Sequence, residues 1–439
     1  MRLLLIAYEF PPSPSPQSLR WAYLARELHA LGHEVHVLTA DLGGHTPGLP
    51  ALPDGLHVHR SFAGPLRGLL ALLRKHRRWV EGTSATKPST GDAAPTLQPI
   101  RPMRSWRQRI SEAVQAGAAF LTYPDIRGEW RPWGRRALRR LIDSVDPDLV
   151  ISSHEPATTL ELGLLAQRRG LPWVADLGDP VLAGYTPPRF HARAHRIERE
   201  VCERADLVTV TNPGAAELLE QRHGRDDRIE VVTQGFDGTH AGTSPDGCGT
   251  DEAGMFDSRR LELLYTGSFY RFRRVDALLQ ALQAHPAVRL NIAAVTVPEL
   301  VLEAASAAPD QVRLLGFLPH TAILGLQRRA DVLVNVANDD MTQVPGKFYE
   351  YLGSGRPILH LGNGTDPTAD MIGRLGRGWV CSNEPDAIGA LLGKLADSQA
   401  RGSLDHGLSL DAGDVEEFSW KQIALRLDPL LRAAGRDRS

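Results

Sequence analysis

The stretch from Ala330 to Leu361, ADVLVNVANDDMTQVPGKFYEYLGSGRPILHL, constrains this chain more than any other. Its apolar run, Val332 to Val336, predicts a strand buried on both faces, as in a parallel sheet covered by helices. A polar loop follows, Pro345-Gly346 opens a short helix, Gly353-Ser354-Gly355 stops it, and Pro357 starts the next strand. This is one β-loop-α-β unit. Ligands of open α/β sheets sit beyond the carboxyl ends of the strands, so the loop from Asn338 to Pro345 and the first helical turn are expected to face a crevice. Lys347 and Glu350 are three residues apart and share a helix face, with Tyr351 alongside. Amides at a helix start, a lysine and a carboxylate suit a nucleotide diphosphate: amides and lysine for phosphate, carboxylate for ribose hydroxyls. The competing reading is a surface Lys–Glu pair, which contributes only about 0.3–0.5 kcal/mol.

A chain of 439 residues exceeds what one core usually supports, so two domains are expected. The formal net charge of -2 carries no nucleic-acid signature. Cys202, Cys248 and Cys381 are widely spaced with no C-x-x-C pair, which argues against a disulfide framework or structural zinc and fits a reducing cytoplasm. The start, MRLLLIAYEF, lacks the length and small-residue cleavage region of a signal peptide. No segment approaches the ~20 apolar residues that span a membrane.

Leu3 to Ala7 reads as a buried strand running into EFPPSPSPQS, whose prolines exclude helix. Leu19 to Leu31 has helical periodicity, Gly32 suits the residue after a helix end, and Glu34 to Thr39 returns as a strand. The opening is β-α-β, but G-x-G-x-x-G is absent, which argues against a Rossmann dehydrogenase. Over the first strand's carboxyl end, Glu9, Ser15 and Arg20 are candidates to reach a ligand; the alternative is a rigid surface loop.

From Arg60 to Arg109 the chain turns basic. Leu66 to Val80 places Leu69, Leu70, Leu72 and Leu73 beside Arg67, Arg74, Lys75, Arg77 and Arg78, a basic amphipathic helix. A polar run from Glu81 to Gln98 follows, then Arg101, Arg104, Arg107 and Arg109. A basic face opposite leucines suits anionic lipid headgroups at about 1 kcal/mol per cation; the plainer reading is a solvated helix covering the sheet. Trp130 and Trp133 either line the crevice or pack.

Leu149 to Ser152 and Pro172 to Asp176 are further strands, the first leading to His154 and the second to Asp176 and Asp179. A histidine and two aspartates beyond successive strand ends suit proton or hydroxyl handling, although an aspartate there often caps a turn. Helix Arg193 to Arg204, strand Asp206 onward and Ile229 to Val232 complete the domain before GFD at 235–237. Residues 237–260, rich in Gly, Thr and Asp, read as a linker.

The second domain, 261–410, opens with strand Leu261 to Tyr265 and TGSFYRFRRVDALLQAL. Gly267 and Ser268 allow close backbone approach, and Arg271, Arg273 and Arg274 supply positive charge at a helix start, a phosphate cradle. Gly316-Phe317-Leu318-Pro319 offers backbone edges and an aromatic face to a base. The last segment, 411–439, contains an amphipathic helix from Phe418 to Leu431, a candidate to cross back to domain 1–236 with its basic insertion at about 60–120.

Taken in order, YEFPP with LARELHALGHEVHVLT, DPDLVISS with LPWVADLGDP, ADLVTVTNP with GFD, LLYTGSFYRFRRVDALLQAL, VRLLGFLPH, ADVLVNV and VPGKFYEYLGSGRPIL resemble the GT-B glycosyltransferases of retaining family four, in particular bacterial polysaccharide and glycolipid enzymes. The resemblance covers nearly the whole chain outside roughly 60–120 and the linker. It implies an α/β fold of two doubly wound Rossmann-like domains facing a cleft, a nucleotide-sugar donor held by the second and a glycan, lipid-linked or small-molecule acceptor by the first. By matched position, Arg273 stands for the diphosphate-binding lysine, Glu350 for the ribose-binding glutamate, and Phe317-Leu318 for the base-contacting segment. Lys347 matches the cation of a P-x-K-x-x-E-Y pattern. Ser268 stands where many members have arginine, Gly178 where close relatives have the arginine of A-D-x-R-D-P, and Thr342 where the first glutamate of an E-x7-E pair belongs. The transition state is oxocarbenium-like; Arg273 and Lys347 would stabilise the departing diphosphate without a metal or other cofactor, and His154 and Asp179 would orient sugar or acceptor. The other readings are a sugar-nucleotide epimerase and a catalytically silent homologue acting as a binding partner.

Overall fold

The computed structural model describes residues 1–436 apart from 45, 47, 73–100, 103–126, 185, 226–228, 239–254, 270–273 and 338–343. The chain divides into two compact units, Met1–Thr90 with Ile110–Gly235 and Trp420–Ser439, and Gly91–Arg109 with Phe236–Ser419.

The first unit is built on β1 (Arg2–Ala7), α1 (Pro16–Ala30), β2 (Glu34–Asp41), β3 (His57–Phe62), α2 (Arg131–Val145), β4 (Leu149–His154), α3 (Ala157–Gln167), β5 (Trp173–Leu177), α4 (His191–Arg204), β6 (Leu207–Val210), α5 (Pro213–His223) and β7 (Ile229–Val231). Its seven strands run in the order β3-β2-β1-β4-β5-β6-β7, every neighbour parallel. The order reverses direction between β1 and β4, which makes their carboxyl ends the switch point where such sheets bind ligands. Alternation along β1 feeds two cores: Leu3, Leu5 and Ala7 join Leu24 and Leu28 of α1, while Leu4, Ile6 and Tyr8 join Leu138 and Leu141 of α2.

Local chemistry sets the ends of α1. Ser15 is its N-cap, its Oγ accepting from the Ser18 amide, with Pro16 in the first turn. Beyond Leu31, Gly32 lies at φ +87°, a left-handed conformation that glycine adopts without penalty.

Residues 65–72 are helical, and the Glu129 carboxylate accepts from the amides of Leu66 and Arg67, both at 2.8 Å. This helix does not cover the sheet with its leucines. Gly68 and Ala71 face inward, and a Cβ on Gly68 would stand 2.3 Å from the Phe62 ring, whereas Leu66, Leu69, Leu70 and Leu72 are 52–56% exposed. Arg67 is the one described member of the basic set on this segment; Arg74, Lys75, Arg77, Arg78, Arg104, Arg107, Arg109 and the run 81–98 lie outside the described residues. Residues Arg101–Pro102 pair in parallel with Thr296–Val297, within the second unit. Trp130 packs: it is 0% exposed and its Nε1 donates to Ser61 Oγ.

The second unit follows the same plan with β8 (Leu261–Thr266), α6 (Asp276–Leu282), β9 (Val288–Ala293), α7 (Glu299–Ala307), β10 (Val312–Leu314), α8 (His320–Arg329), β11 (Val332–Val336), α9 (Gly346–Gly353), β12 (Ile358–Leu361), α10 (Pro367–Leu375), β13 (Gly378–Cys381) and α11 (Pro385–Ala400). Its six parallel strands are ordered β10-β9-β8-β11-β12-β13, and the switch point lies between β8 and β11. The helix α12 (Trp420–Arg436) then returns to the first unit. There Trp420 stacks on Tyr23 at 5.7 Å, and Leu427 and Leu431 are buried in the core that holds Leu24 and Leu28; burying each such leucine contributes about 1.5–3 kcal/mol.

Candidate functional site

In the second unit, β8 and β11 pair at Leu263 with Val332 and Leu264 with Leu333. Two residues further on, the Thr266 amide donates instead to the Tyr351 hydroxyl at 3.1 Å, and the Thr266 and Tyr351 hydroxyls share a second bond at 3.0 Å. The chain then turns at Gly267, φ +98°, its amide donating to the Ala293 carbonyl. Lys347, in the first turn of α9, reaches into this turn. Its Nζ donates to the Thr266 carbonyl at 3.2 Å and lies 3.7 Å from the centre of the Tyr265 ring, a cation held by a carbonyl and a π-face. A Cβ on Gly267 would stand 3.9 Å from the Lys347 Cδ, an ordinary contact, so it is the left-handed φ of this turn that calls for glycine.

One turn along α9, Glu350 meets His320 Nε2 through Oε1 at 3.0 Å and accepts from Gln327 Nε2 through Oε2 at 3.5 Å. Gln327 also reaches Thr266 Oγ1 at 3.4 Å, tying this group to the strand end. Burial opposes protonation of His320, but its hydrogen bond to Glu350, with the charges of Glu350 and Asp237, outweighs burial and raises its pKa above 6.5. The pair is therefore a partly exposed carboxylate held by a charge-prone imidazole. His320 and Gln327 carried no sequence signal beyond a histidine at a helix start after Pro319; only folding sets α8 beside α9.

Several expected donor contacts are placed differently. Tyr351 is fully buried, and its phenol pKa is pushed up by burial; it pins β8 to α9. Leu318 is 8% exposed and belongs to the core, so its side chain is not available to a base, whereas Phe317 beside it is half-buried. Ser268 is exposed and its carbonyl accepts from the Tyr265 hydroxyl. Arg273 and Thr342 lie outside the described residues.

At the first unit's switch point, His154 ends β4 and its Nδ1 lies 3.0 Å from the Asp179 carbonyl. A carbonyl only accepts, so Nδ1 carries a proton in this contact and Nε2 is the ring nitrogen left to face a ligand. Asp179 itself is half-buried. Glu9 pairs with Arg127 at 3.3 Å, a partner the sequence gave no means of choosing.

Arg20, Asp176 and Ser15 serve the scaffold. Arg20 is 0% and Asp176 1% exposed. Arg20 donates to Asp176 at 3.0 Å and to the carbonyls of Val232 and Thr233, and Asp176 also accepts from Trp21 Nε1 and Thr209 Oγ1. A buried guanidinium and carboxylate so engaged hold α1 against β5 and β6, and neither reaches a ligand. Ser15 spends its hydroxyl on the α1 cap. Gln17 bridges the group to the site, donating to Ser153 Oγ and the His154 carbonyl. Gly178 accepts from Thr211 Oγ1 through its carbonyl.

Comparison with known proteins matches residues 97–239 to the Glycosyltransferase Family 4 domain. No curated protein sequence matches the chain at a significant level. Among solved structures, a sucrose-phosphate synthase from Thermosynechococcus elongatus superposes with TM-score 0.68 at 16% identity, covering 99% of this chain and 98% of that one. Anabaena HepE in complex with UDP gives TM-score 0.64 at 13% identity, over 99% and 100%. A UDP-GlcNAc 2-epimerase from Methanocaldococcus jannaschii gives TM-score 0.54 at 9% identity, over 99% and 100%. The two parallel-sheet units and these full-length superpositions show that the chain has the GT-B fold.

Proposed function

We propose that the protein is a glycosyltransferase that moves a sugar from a nucleotide-sugar donor to a glycan, lipid-linked or small-molecule acceptor with retention of anomeric configuration, in surface polysaccharide or glycolipid synthesis. The observation that carries this reading is the placing of Lys347, Glu350 and Gly267 together at the switch point of the second unit. The family match over 97–239 and the UDP found with HepE support it.

Glu350, oriented by His320 and Gln327, accepts ribose hydroxyls. Lys347, Arg273 and the amides opening α9 take the diphosphate, whose charge grows as the anomeric C–O bond breaks. Positive charge fixed where negative charge develops lowers the barrier without a metal or other cofactor. As the oxocarbenium-like centre forms, the acceptor oxygen approaches from the leaving-group side and gives its proton to a diphosphate oxygen, so no protein nucleophile is required. His154 Nε2 and Asp179, with Glu9, whose partner Arg127 also pairs with Glu155 beside His154, orient the acceptor in the first unit.

No helix among the described residues is long and apolar enough to cross a membrane. For a lipid-linked acceptor we place the enzyme in the cytoplasm at the inner membrane face, with Leu66, Leu69, Leu70 and Leu72 and the basic residues after them meeting anionic lipid. Sedimentation with anionic vesicles at low salt tests this, and absence of binding removes it.

Glu350→Ala is expected to abolish donor binding and transfer while leaving the far-UV circular dichroism unchanged; full activity in this variant would overturn the site. A thermal-shift screen of UDP, GDP, CDP and dTDP and their sugars identifies the donor, since ligand at 100 times Kd stabilises by about 2.7 kcal/mol. The likeness to the epimerase gives a second reading, in which the donor is converted without an acceptor; product analysis with donor alone separates the two. A silent homologue would bind donor and form no product.

A further inference from the structure

At the amino ends of β2 and β3, far along the strands from the switch point, the fold gathers Glu34, His36, His57 and His59. The register sets His36 directly beside His57, and alternation puts residues 34, 36, 57 and 59 on one face of the sheet. His36 Nε2 lies 2.9 Å from Glu34 Oε1, and His36 Nδ1 lies 3.0 Å from His59 Nε2. The His36 and His59 rings are near-parallel with centres 5.3 Å apart, so at that nitrogen separation they meet edge to edge. The His57 ring stacks on His36 at 4.6 Å. One ligand atom each from Glu34, His36 and His57 lies within 4.8 Å of the others.

We propose that Glu34, His36 and His57 form a divalent transition-metal site of the zinc class, with His59 as the outer hydrogen-bond partner of His36. Two imidazoles and a carboxylate are a ligand set that zinc accepts at about 2.0–2.2 Å per bond. Bonds of that length put tetrahedral ligand atoms roughly 3.3–3.6 Å apart, so the widest pair must close by at most about 1.2–1.5 Å and Glu34 must back off from His36 by about 0.5 Å. His57 and Glu34 can do so, since His57 is exposed and the Glu34 side chain is half exposed. With metal on Nε2, His36 carries its proton on Nδ1 and donates it to His59 Nε2, the second hydrogen bond that fixes a metal-bound imidazole. No sheet interaction requires three histidines here: β3 is the edge strand, and Val58, on its other face, packs against the core around α1. The ion would staple this edge strand to β2. It takes no part in sugar transfer.

Untagged full-length protein, stripped with EDTA and dialysed, is titrated with Co²⁺ while the visible d–d absorption is read, then with Zn²⁺ as competitor. The expected result is one equivalent of Co²⁺, displaced by one of Zn²⁺. Separate His57→Asn and Glu34→Gln variants, both at exposed positions, lose that equivalent while keeping the wild-type circular dichroism, and His59→Gln weakens it about 10–100-fold. Zn²⁺ should also raise the melting temperature of the wild type and leave that of His57→Asn unchanged. Absence of binding in the wild type, or equal binding in wild type and both ligand variants, overturns the proposal.

Discussion

Tyr351→Phe separates a structural from a ligand-binding role at the most conspicuous residue of the second unit's site. The tyrosine is buried, and its hydroxyl accepts the Thr266 amide where β8 has parted from β11. Phenylalanine keeps the ring and its packing but leaves a buried N–H without that partner, at a cost of about 1–3 kcal/mol. For a unit of this size each kcal/mol lowers the melting temperature by roughly 2–4 °C, so the transition should fall by about 2–12 °C. Because the hydroxyl faces Thr266 rather than the crevice, nucleotide affinity measured by calorimetry well below the transition should change less than threefold. Calorimetric unfolding and nucleotide titration on one preparation give both quantities. Unchanged stability together with a tenfold or greater loss of nucleotide affinity would refute the reasoning, because it would put the hydroxyl on the ligand.

The same logic extends to the other groups. Arg20→Met strands the Asp176 carboxylate in the core and should cost about 3–5 kcal/mol by urea unfolding; a loss under 1 kcal/mol would mean that Asp176 is not held as the geometry shows. His320 titrates with a raised pKa in the folded protein, so its stabilisation is fully present below the ordinary value of 6.5 and disappears as pH rises through the raised value. Wild type should therefore lose stability relative to His320→Gln as pH rises from below 6.5 through the raised value in urea melts, and parallel pH profiles would show that the Glu350 contact does not stabilise the imidazolium.

Much of the fold was legible because it depends on local pattern. The apolar run at Val332–Val336 read as a doubly covered parallel strand, and the Pro345-Gly346 start and Gly353-Ser354 stop bounded α9 closely. Lys347 and Glu350 were found because a helix face is readable from spacing alone. What spacing cannot tell is which neighbours of a helix face point into a crevice and which into the core. Tyr351, Leu318 and Arg20 each sit beside a strand end, where a ligand-contacting side chain and a buried one look the same in sequence, and burial made them structural. The helix at 65–72 shows the same limit from the other side, since its leucines could equally face lipid or cover the sheet, and only the structure shows that Gly68 and Ala71 are the residues that dock.

Sequence by itself pointed to two parallel α/β units, the bounds of α9 and the two switch-point segments, because each follows from periodicity, proline and glycine within a few residues. It misplaced the start of α1, which begins at Pro16 inside the stretch whose prolines were read to exclude helix, because proline is tolerated in a first turn that Ser15 caps. Tertiary structure alone decided the pairs: His320 with Glu350, Lys347 with the Thr266 carbonyl, Asp176 with Arg20, and His36 with His57 and His59. These partners come from separate elements, 30, 81, 156 and up to 23 residues apart. Hydrogen bonds and ion pairs act only over a few ångströms, and no local pattern records which distant residue the packed sheets will bring within that reach.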